Sequence, residues 1–392
     1  MVAVERVLLA SPRGFCAGVE KAIKALGWMV RVFDPPVYCY HEIVHNRHVV
    51  EQFRRPGVVF VDDIALVPRG APLMLSAHGS APEVVAAARD RCGVVVDAVC
   101  PLVTKVHHEL KVRASKGYTV LYVGHEGHEE AVGTMAVAPE AVRLVRSSED
   151  VDALAATIPR DGQVALLAQT TLSHDEWAGI VERASERFED LWMPNRSDLC
   201  FATTNRQAAL KAIAGRSDAV VVIGSRNSSN TQALVKVAAA AGAGRVLMVN
   251  DATELPGDLR GTVGVTAGAS APDELVDGVV AALAPLHGVE EVTATTEEEY
   301  FPPPPELREL LRALAGVLAA GLGAPPADPA REQPSPDAEP SDTDATSRAA
   351  AQADSRSLRA DDKSVLADDR HLSAASVLAE LAHSTPVVPT GC

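Results

Sequence analysis

The sequence has no stretch approaching the roughly 20 unbroken apolar residues that a membrane helix requires. Its first ten residues, Met1 to Ala10, also lack a basic region followed by an apolar core and a cleavage site. The expectation is a soluble, cytoplasmic protein with no membrane partner. Short cysteine spacings are missing too. The six cysteines, at positions 16, 39, 92, 100, 200 and 392, are scattered. This argues against a zinc knuckle, a bacterial-ferredoxin run and a secreted disulfide framework. Positive charge is scarce, with 36 Lys and Arg against 52 Asp and Glu and a net charge of −16. Non-specific nucleic-acid binding depends on neutralising phosphates with Lys and Arg, so no nucleic-acid partner is expected. A small anion is still compatible with this balance if local donors hold it.

What the chain does have is length and apolar content. Its 392 residues, 47% of them hydrophobic, suffice for two or three domains and a large core. From about residue 321 the composition shifts to Ala, Pro, Ser and Asp, as in "GAPPADPAREQPSPDAEPSDTDATSRAAAQADSR". Such a segment buries too little apolar surface to offset the entropy of ordering, so 321–392 reads as a disordered acidic tail. Within it "HLSAASVLAELAHS" is suited to one weak helix without a catalytic role. The terminal Cys392 lacks the three following residues of a prenylation box.

The first 290 residues repeat. Three cysteines each follow a short loop and start a helical pattern: "RGFCAGVEKAIKAL", "DAVCPLVTKVHHEL" and "SDLCFATTNRQAALKAI". Each then meets an apolar strand that ends in a polar loop: "PVYCYHEIVHN", "YTVLYVGHEGHEE" and "AVVVIGSRNSSN". Two more strand patterns follow in every copy, the last of them in "LMLSAHGSAPE", "ALLAQTTLSHDE" and "VGVTAGASAPDE". The alternation predicts an α/β protein of three similar small domains with mostly parallel sheets. The boundaries drawn from it are 1–99, 100–198 and 199–290, with a closing segment over 291–320. Parallel sheets bind ligands beyond the carboxyl ends of their strands, where the Cys, His, Ser, Thr and Asn residues fall. The simplest packing is a pseudo-threefold trefoil with those ends facing a shared centre.

"HEIVH" at 41–45 matches the H-E-x-x-H pattern of zinc proteases, which needs a helix so that both histidines share a face. Here it follows Pro35, Pro36 and the β-prone "VYCY", in the slot that "HEGHEE" and "SRNSSN" occupy at strand ends. A zinc hydrolase is therefore the alternative, not the main reading. A second alternative is a non-catalytic phosphate-binding protein with inert cysteines, since free cysteine is commonly a small buried hydrophobe.

Cys16, Cys100 and Cys200 at equivalent places beside polar loops point instead to three thiolates round one axis. Thiolates hold iron–sulfur clusters, and a cubane normally takes four. With three, one iron keeps an open position that acts as a Lewis acid. Cys39 and Cys92 have no counterparts, so core packing accounts for them. Ser228, Ser229 and Asn230 sit at a strand-to-helix turn and exceed what one helix cap needs. With Ser270, His45, His78 and His128 they are suited to holding a phosphate or diphosphate. Ser80 and Ser173 read as simple caps. Glu130 is a candidate proton carrier if its pKa is raised, and Thr170 and Thr171 are suited to relaying or orienting a proton. Glu126 and Glu129 read as solvent-facing.

Taken together, "PRGFCAGV", "HEIVHNRHVV", "SAHG", "DAVCPLVTKVH", "GHEGHEE", "QTTLS", "CFATTNRQ", "GSRNSSN" and "VTAGASAPD" closely resemble the 4-hydroxy-3-methylbut-2-enyl diphosphate reductase family (LytB/IspH), the last enzymes of the non-mevalonate isoprenoid pathway. The likeness runs over nearly all of residues 5 to 290 and again at "PPELR". It implies a trefoil around one 4Fe-4S cluster, held by Cys16, Cys100 and Cys200 with one open iron. It further implies an oxidoreductase whose allylic diphosphate substrate lies among His45, His78, His128, Ser228, Ser229, Asn230 and Ser270. Thr170 would orient the hydroxyl end, and Glu130 would donate a proton with His128 helping. Ferredoxin or flavodoxin would supply two electrons, and the products would be isopentenyl and dimethylallyl diphosphate. Two departures stand out: Glu129 occupies a place where many members carry proline, and the chain beyond about 310 is unmatched. The first is expected to matter little.

Overall fold

The computed structural model describes residues 3–159, 161–321 and 373–383. Each copy of the repeat starts with a helix capped by a cysteine and continues through parallel strands and crossover helices. The first copy comprises, after strand β1 (Val4–Ser11), α1 (Ala17–Val32), β2 (Val37–Tyr40), α2 (Arg47–Arg54), β3 (Val58–Val61), β4 (Pro72–Leu75), α3 (Pro82–Arg91) and β5 (Val94–Asp97). The second comprises α4 (Pro101–Ser115), β6 (Thr119–Val123), α5 (Glu129–Met135), β7 (Val142–Val145), α6 (Ser148–Ala155), β8 (Val164–Ala168), α7 (His174–Arg187) and β9 (Leu191–Trp192). The third comprises α8 (Phe201–Ala214), β10 (Ala219–Ile223), α9 (Ser229–Ala240), β11 (Val246–Val249), β12 (Gly261–Ala267), α10 (Asp273–Leu283) and β13 (Val289–Thr293). Short 3-10 turns at Ile64–Leu66 and Ala252–Glu254 stand where the second copy has α6.

The strands form three wholly parallel sheets, in the orders β3-β2-β4-β5, β7-β6-β8-β9 and β11-β10-β12-β1-β13. The first two orders are equivalent, and the third is the same pattern with β1 inserted. Helices on both faces explain the composition of the central strands: "TVLYV", "VALLA" and "AVVVI" are almost wholly buried, as two-sided parallel strands are. The α/β class and three-sheet arrangement expected from the repeat are present. The boundaries at 99 and 198 fall between sheets, but the one at 290 cuts β13, and β1 does not belong with the first sheet because it lies between β12 and β13 in the third. The first residues therefore belong structurally with the last copy, since an apolar strand does not encode which distant edge it joins.

Most of 321–392 lies outside the described residues, so the expectation of disorder there has no structural counterpart. Helix α11 (Pro305–Gly321) begins with proline at its first position, where no amide hydrogen bond is lost. Helix α12 (Ala374–Ala382) falls on the predicted "HLSAASVLAELAHS" stretch and packs on α1 and α2. Ala374, Val377, Leu378 and Leu381 recur at helical spacing and are buried. Val377 sits over Gly27, where an added Cβ would lie 2.6 Å from it. Glu20 accepts the amide of Ala374 at 2.9 Å, Arg55 donates to the carbonyl of Ala382 at 3.3 Å, and Arg31 pairs with Glu380. Among the described residues no helix is long and apolar enough to cross a membrane.

Leu378→Ala should weaken the docking of α12 by about 2–4 kcal/mol, the usual loss for a buried leucine. Hydrogen exchange should speed up in residues 374–383 and the facing turns of α1 and α2 while the sheets keep their protection. Unaltered exchange in α12 would show that this apolar stripe does not hold it.

Candidate functional site

Cys16, Cys100 and Cys200 are the N-cap residues of α1, α4 and α8, each with extended backbone angles. Their amides make equivalent hydrogen bonds. Cys100 donates to the Ala77 carbonyl after β4 at 3.0 Å, Cys200 to Thr170 after β8 at 3.1 Å, and Cys16 to Ala269 after β12 at 3.2 Å. Each bond ties the start of one copy to the loop of the preceding copy, with Cys16 closing the cycle onto the third. All three cysteines line one central cavity. A Cβ on Gly18 would lie 2.9 Å from the Cys100 sulfur and 3.8 Å from that of Cys16, so glycine keeps this side of the sulfurs clear. Burial, then the neighbouring Cys16 sulfur, pushes the Cys100 thiol up to about 12 and the Cys200 thiol up to about 11. Cys200 also accepts the amide of Thr203 at 3.2 Å. Cys39 is buried on β2 and Cys92 follows α3, and neither lines the cavity.

The segments that follow the strands of all three sheets contribute polar groups to the same cavity: His45, His78, His128, Thr170, Thr171, Ser228, Ser229, Asn230 and Ser270. His128 caps α5 and Ser228 caps α9, their side chains accepting the amides of Glu130 and Thr231. Asn230 accepts the Ala269 amide at 2.9 Å, and Ser270 donates to the His45 carbonyl at 2.9 Å. Ser229 joins Gln169, Thr171 and His125 at 3.0, 3.0 and 3.2 Å. The His45 and His78 rings are stacked, with centroids 3.8 Å apart and planes at 10°. His128 stands edge-on to His45 at 5.3 Å. Both ring nitrogens of His45 and Nε2 of His128 are buried without a hydrogen-bond partner, a debt that an anionic ligand would settle. Burial, then the charge of His78, holds His45 below the usual histidine range and brings His128 down to about 3. Neutral rings are thus the resting state of these two.

Glu130 is fully buried in the same cavity. Its carboxyl accepts the Thr170 amide at 2.7 Å and the Thr170 hydroxyl at 3.0 Å. Burial raises it to about 7 against the opposing pull of those two bonds. A carboxyl poised there is suited to giving and taking a proton.

One sequence expectation, the exposure of Glu129, needs correction. Glu126 is exposed and meets Arg146 at 3.0 Å, as a solvent-facing residue should. Glu129 is not: its side chain is only 22% exposed and accepts from Nδ1 of His78 at 2.8 Å. As the first residue of α5 it lies beside the β4 loop, and pattern reading had no means of placing that loop opposite it. "HEIVH" occupies the loop between β2 and α2, with His41 in the left-handed region at φ 59°, so its histidines share no helix face. The zinc-hydrolase reading loses its structural requirement. His45, His78 and Glu129 do place ligand atoms within 4.8 Å of one another. In this arrangement, however, His78 Nδ1 and Glu129 are hydrogen-bonded to each other at 2.8 Å. Gln169, which donates to Thr171 at 2.8 Å and to Ser229 at 3.0 Å, was not singled out from the sequence.

Fold and cavity together define a class of protein: a three-sheet α/β chain whose centre joins three thiols, a buried acid and a set of histidine, serine, threonine and asparagine side chains. The chain belongs to the LytB protein family, whose pattern it matches over residues 7–284. It is 49% identical over 310 residues to a 4-hydroxy-3-methylbut-2-enyl diphosphate reductase of Mycobacterium leprae (strain TN), covering 78% of this chain and 92% of that protein. To the protein of the same name from Acidothermus cellulolyticus (strain ATCC 43068 / DSM 8971 / 11B) it is 47% identical over 313 residues, covering 79% and 92%. Among solved structures, the E-1-hydroxy-2-methyl-but-2-enyl-4-diphosphate reductase of Plasmodium falciparum is 30% identical with a TM-score of 0.76, covering 80% of this chain and 99% of its own.

The raised pKa of Glu130 has a consequence for stability. An unfolded glutamate titrates near 4.3, so the folded state favours the protonated form. That contribution is complete below the unfolded value and is lost as pH rises through about 7. Glu130→Gln cannot ionise, so its Tm relative to wild type should rise between pH 5.5 and 8.5. A pH-independent difference would show that ionisation of Glu130 is not coupled to folding.

Proposed function

We propose that the protein is an iron–sulfur reductive dehydroxylase that converts (E)-4-hydroxy-3-methylbut-2-enyl diphosphate to isopentenyl and dimethylallyl diphosphate, the last step of the non-mevalonate isoprenoid pathway. The observation that carries this reading is the single cavity in which three thiols from three helix starts face a protonatable carboxyl and a set of unpaired imidazole nitrogens. The names of the relatives point to the same substrate. The residues suit a cubane: three sulfurs converge, Gly18 leaves space beside them, and buried thiols give up their protons to a metal. A 4Fe-4S cluster held by Cys16, Cys100 and Cys200 would supply single electrons and, at its open iron, a Lewis acid for the substrate hydroxyl.

The protein's own groups do the rest. His45, His78, His128, Ser228, Ser229, Asn230 and Ser270 hold the diphosphate through N–H and O–H donors, without Lys or Arg. Thr170 orients the hydroxymethyl end while bonded to Glu130. Glu130 gives its proton to the departing hydroxyl, with His128 beside it. The C–O bond breaks, two electrons and two protons are consumed, and one water leaves. The second proton adds to either end of the allyl unit, which yields the two products. The electrons come from a ferredoxin or flavodoxin in the cytoplasm.

Anaerobically prepared protein should contain about four irons and four sulfides per chain. Cys200→Ser should lose them and Cys39→Ser should keep them; zinc in place of iron would remove the reading. Failure to turn over the allylic diphosphate with a low-potential reductant, despite an intact cluster, would favour a phosphate-binding protein instead.

Glu130→Gln should cost about 10²-fold or more in turnover with little change in substrate affinity. Wild-type turnover should fall as pH rises through about 7 and the acid form of Glu130 is lost, whereas the variant should lack that limb. Equal rates in the two proteins would remove the acid role.

A further inference from the structure

The pair formed by His78 and Glu129 is not explained by the roles assigned so far. Glu129 accepts from Nδ1 of His78 at 2.8 Å, and the stacking of the His78 ring on His45 fixes its plane. Nε2 is then the ring nitrogen left to meet a ligand in the cavity that His78 lines. With Nδ1 committed as donor to a carboxylate, a neutral ring presents a lone pair at Nε2, which repels an anion. Only the doubly protonated ring donates from both nitrogens. Of the three cavity histidines, His78 alone has a carboxylate at hydrogen-bonding distance, because the nearest to His45, Glu42, is 3.6 Å away.

We infer that Glu129 is a positioning residue that makes diphosphate binding draw one proton from solvent onto His78, so that the anion is met by an imidazolium clamped between it and Glu129. This deepens the proposed function and rests on it. Other charged and titratable groups lie around the pair, among them Tyr40 and Cys39 of β2, which feel the charge of Glu129. His41 and Glu42 of the β2–α2 loop stand near Glu129 and His45, with His41 3.9 Å from Glu129. Asp62 at the end of β3 holds His41 at 3.2 Å, and His128 precedes Glu129. Burial alone would raise the Glu129 carboxyl, but the hydrogen bond and charge of His78 outweigh it and bring Glu129 down to about 2. The carboxylate is therefore ionised beside a charged His78.

The test compares wild type with Glu129→Gln and Glu129→Pro. In the glutamine variant an amide N–H can donate to Nδ1, which leaves an N–H at Nε2 of a neutral ring. The proline variant also removes the carboxylate, and proline is tolerated at the first helical position. Calorimetry at pH 8 in buffers of different ionisation enthalpy counts protons taken up with inorganic diphosphate and with the allylic diphosphate. Wild type should take up about one proton more than either variant, and its KM should climb with pH by up to tenfold per unit more steeply, the slope that one bound proton sets. Glu130, the other histidines and the phosphates of the ligand are common to all three proteins and cancel in the comparison. Equal proton counts, with wild type turning over the allylic diphosphate, overturn the role of Glu129 alone. No binding of inorganic diphosphate by wild type overturns the site reading along with it.

Discussion

Three backbone hydrogen bonds, from the amides of Cys16, Cys100 and Cys200 to the carbonyls of Ala269, Ala77 and Thr170, determine where everything else at the centre lies. Each fastens the first turn of a helix to the end of a strand in the neighbouring copy. A buried amide without such a partner would be costly, so the strand ends and helix starts are held in one arrangement. It follows that the thiols, Thr170 and the loops bearing His78 and Ser270 are positioned by the same three contacts. Moving one sulfur means breaking a bond that also places a wall residue.

The electrostatics of the cavity run against the bulk charge of the chain. A protein with net charge −16 builds its polar wall from imidazoles, hydroxyls and an amide, and burial raises its Glu130 carboxyl to about 7. Desolvation makes each donor count for more than it would in water. The ionised carboxylate of Glu129 lies just behind this wall and touches it through a histidine.

Much of this was legible in the sequence. The apolar runs "YTVLYV" and "AVVVIG", each followed by polar residues, are strands whose following loops reach the cavity, and the three cysteines line that same cavity. What pattern reading missed is non-local. Nothing in "VERVLLAS" says that this strand pairs with β12 and β13, some 250 residues away in the chain. The stripe Ala374, Val377, Leu378 and Leu381 was readable as a helix face, but its receiving groove depends on Gly27, a helical glycine whose purpose appears only with Val377 above it. Glu129 was assigned to solvent on general grounds, because its partner His78 arrives from another sheet.

The placement of β1 has a bearing on how the molecule comes into being. A ribosome releases Val4–Ser11 first, yet both strands that flank it, Gly261–Ala267 and Val289–Thr293, emerge nearly last. The earliest of the three sulfur-bearing turns must therefore wait, unanchored, for almost the whole core to be translated, while the other two can settle sooner. The cavity that joins the three thiols is therefore complete only once the strands on both sides of β1 have been made.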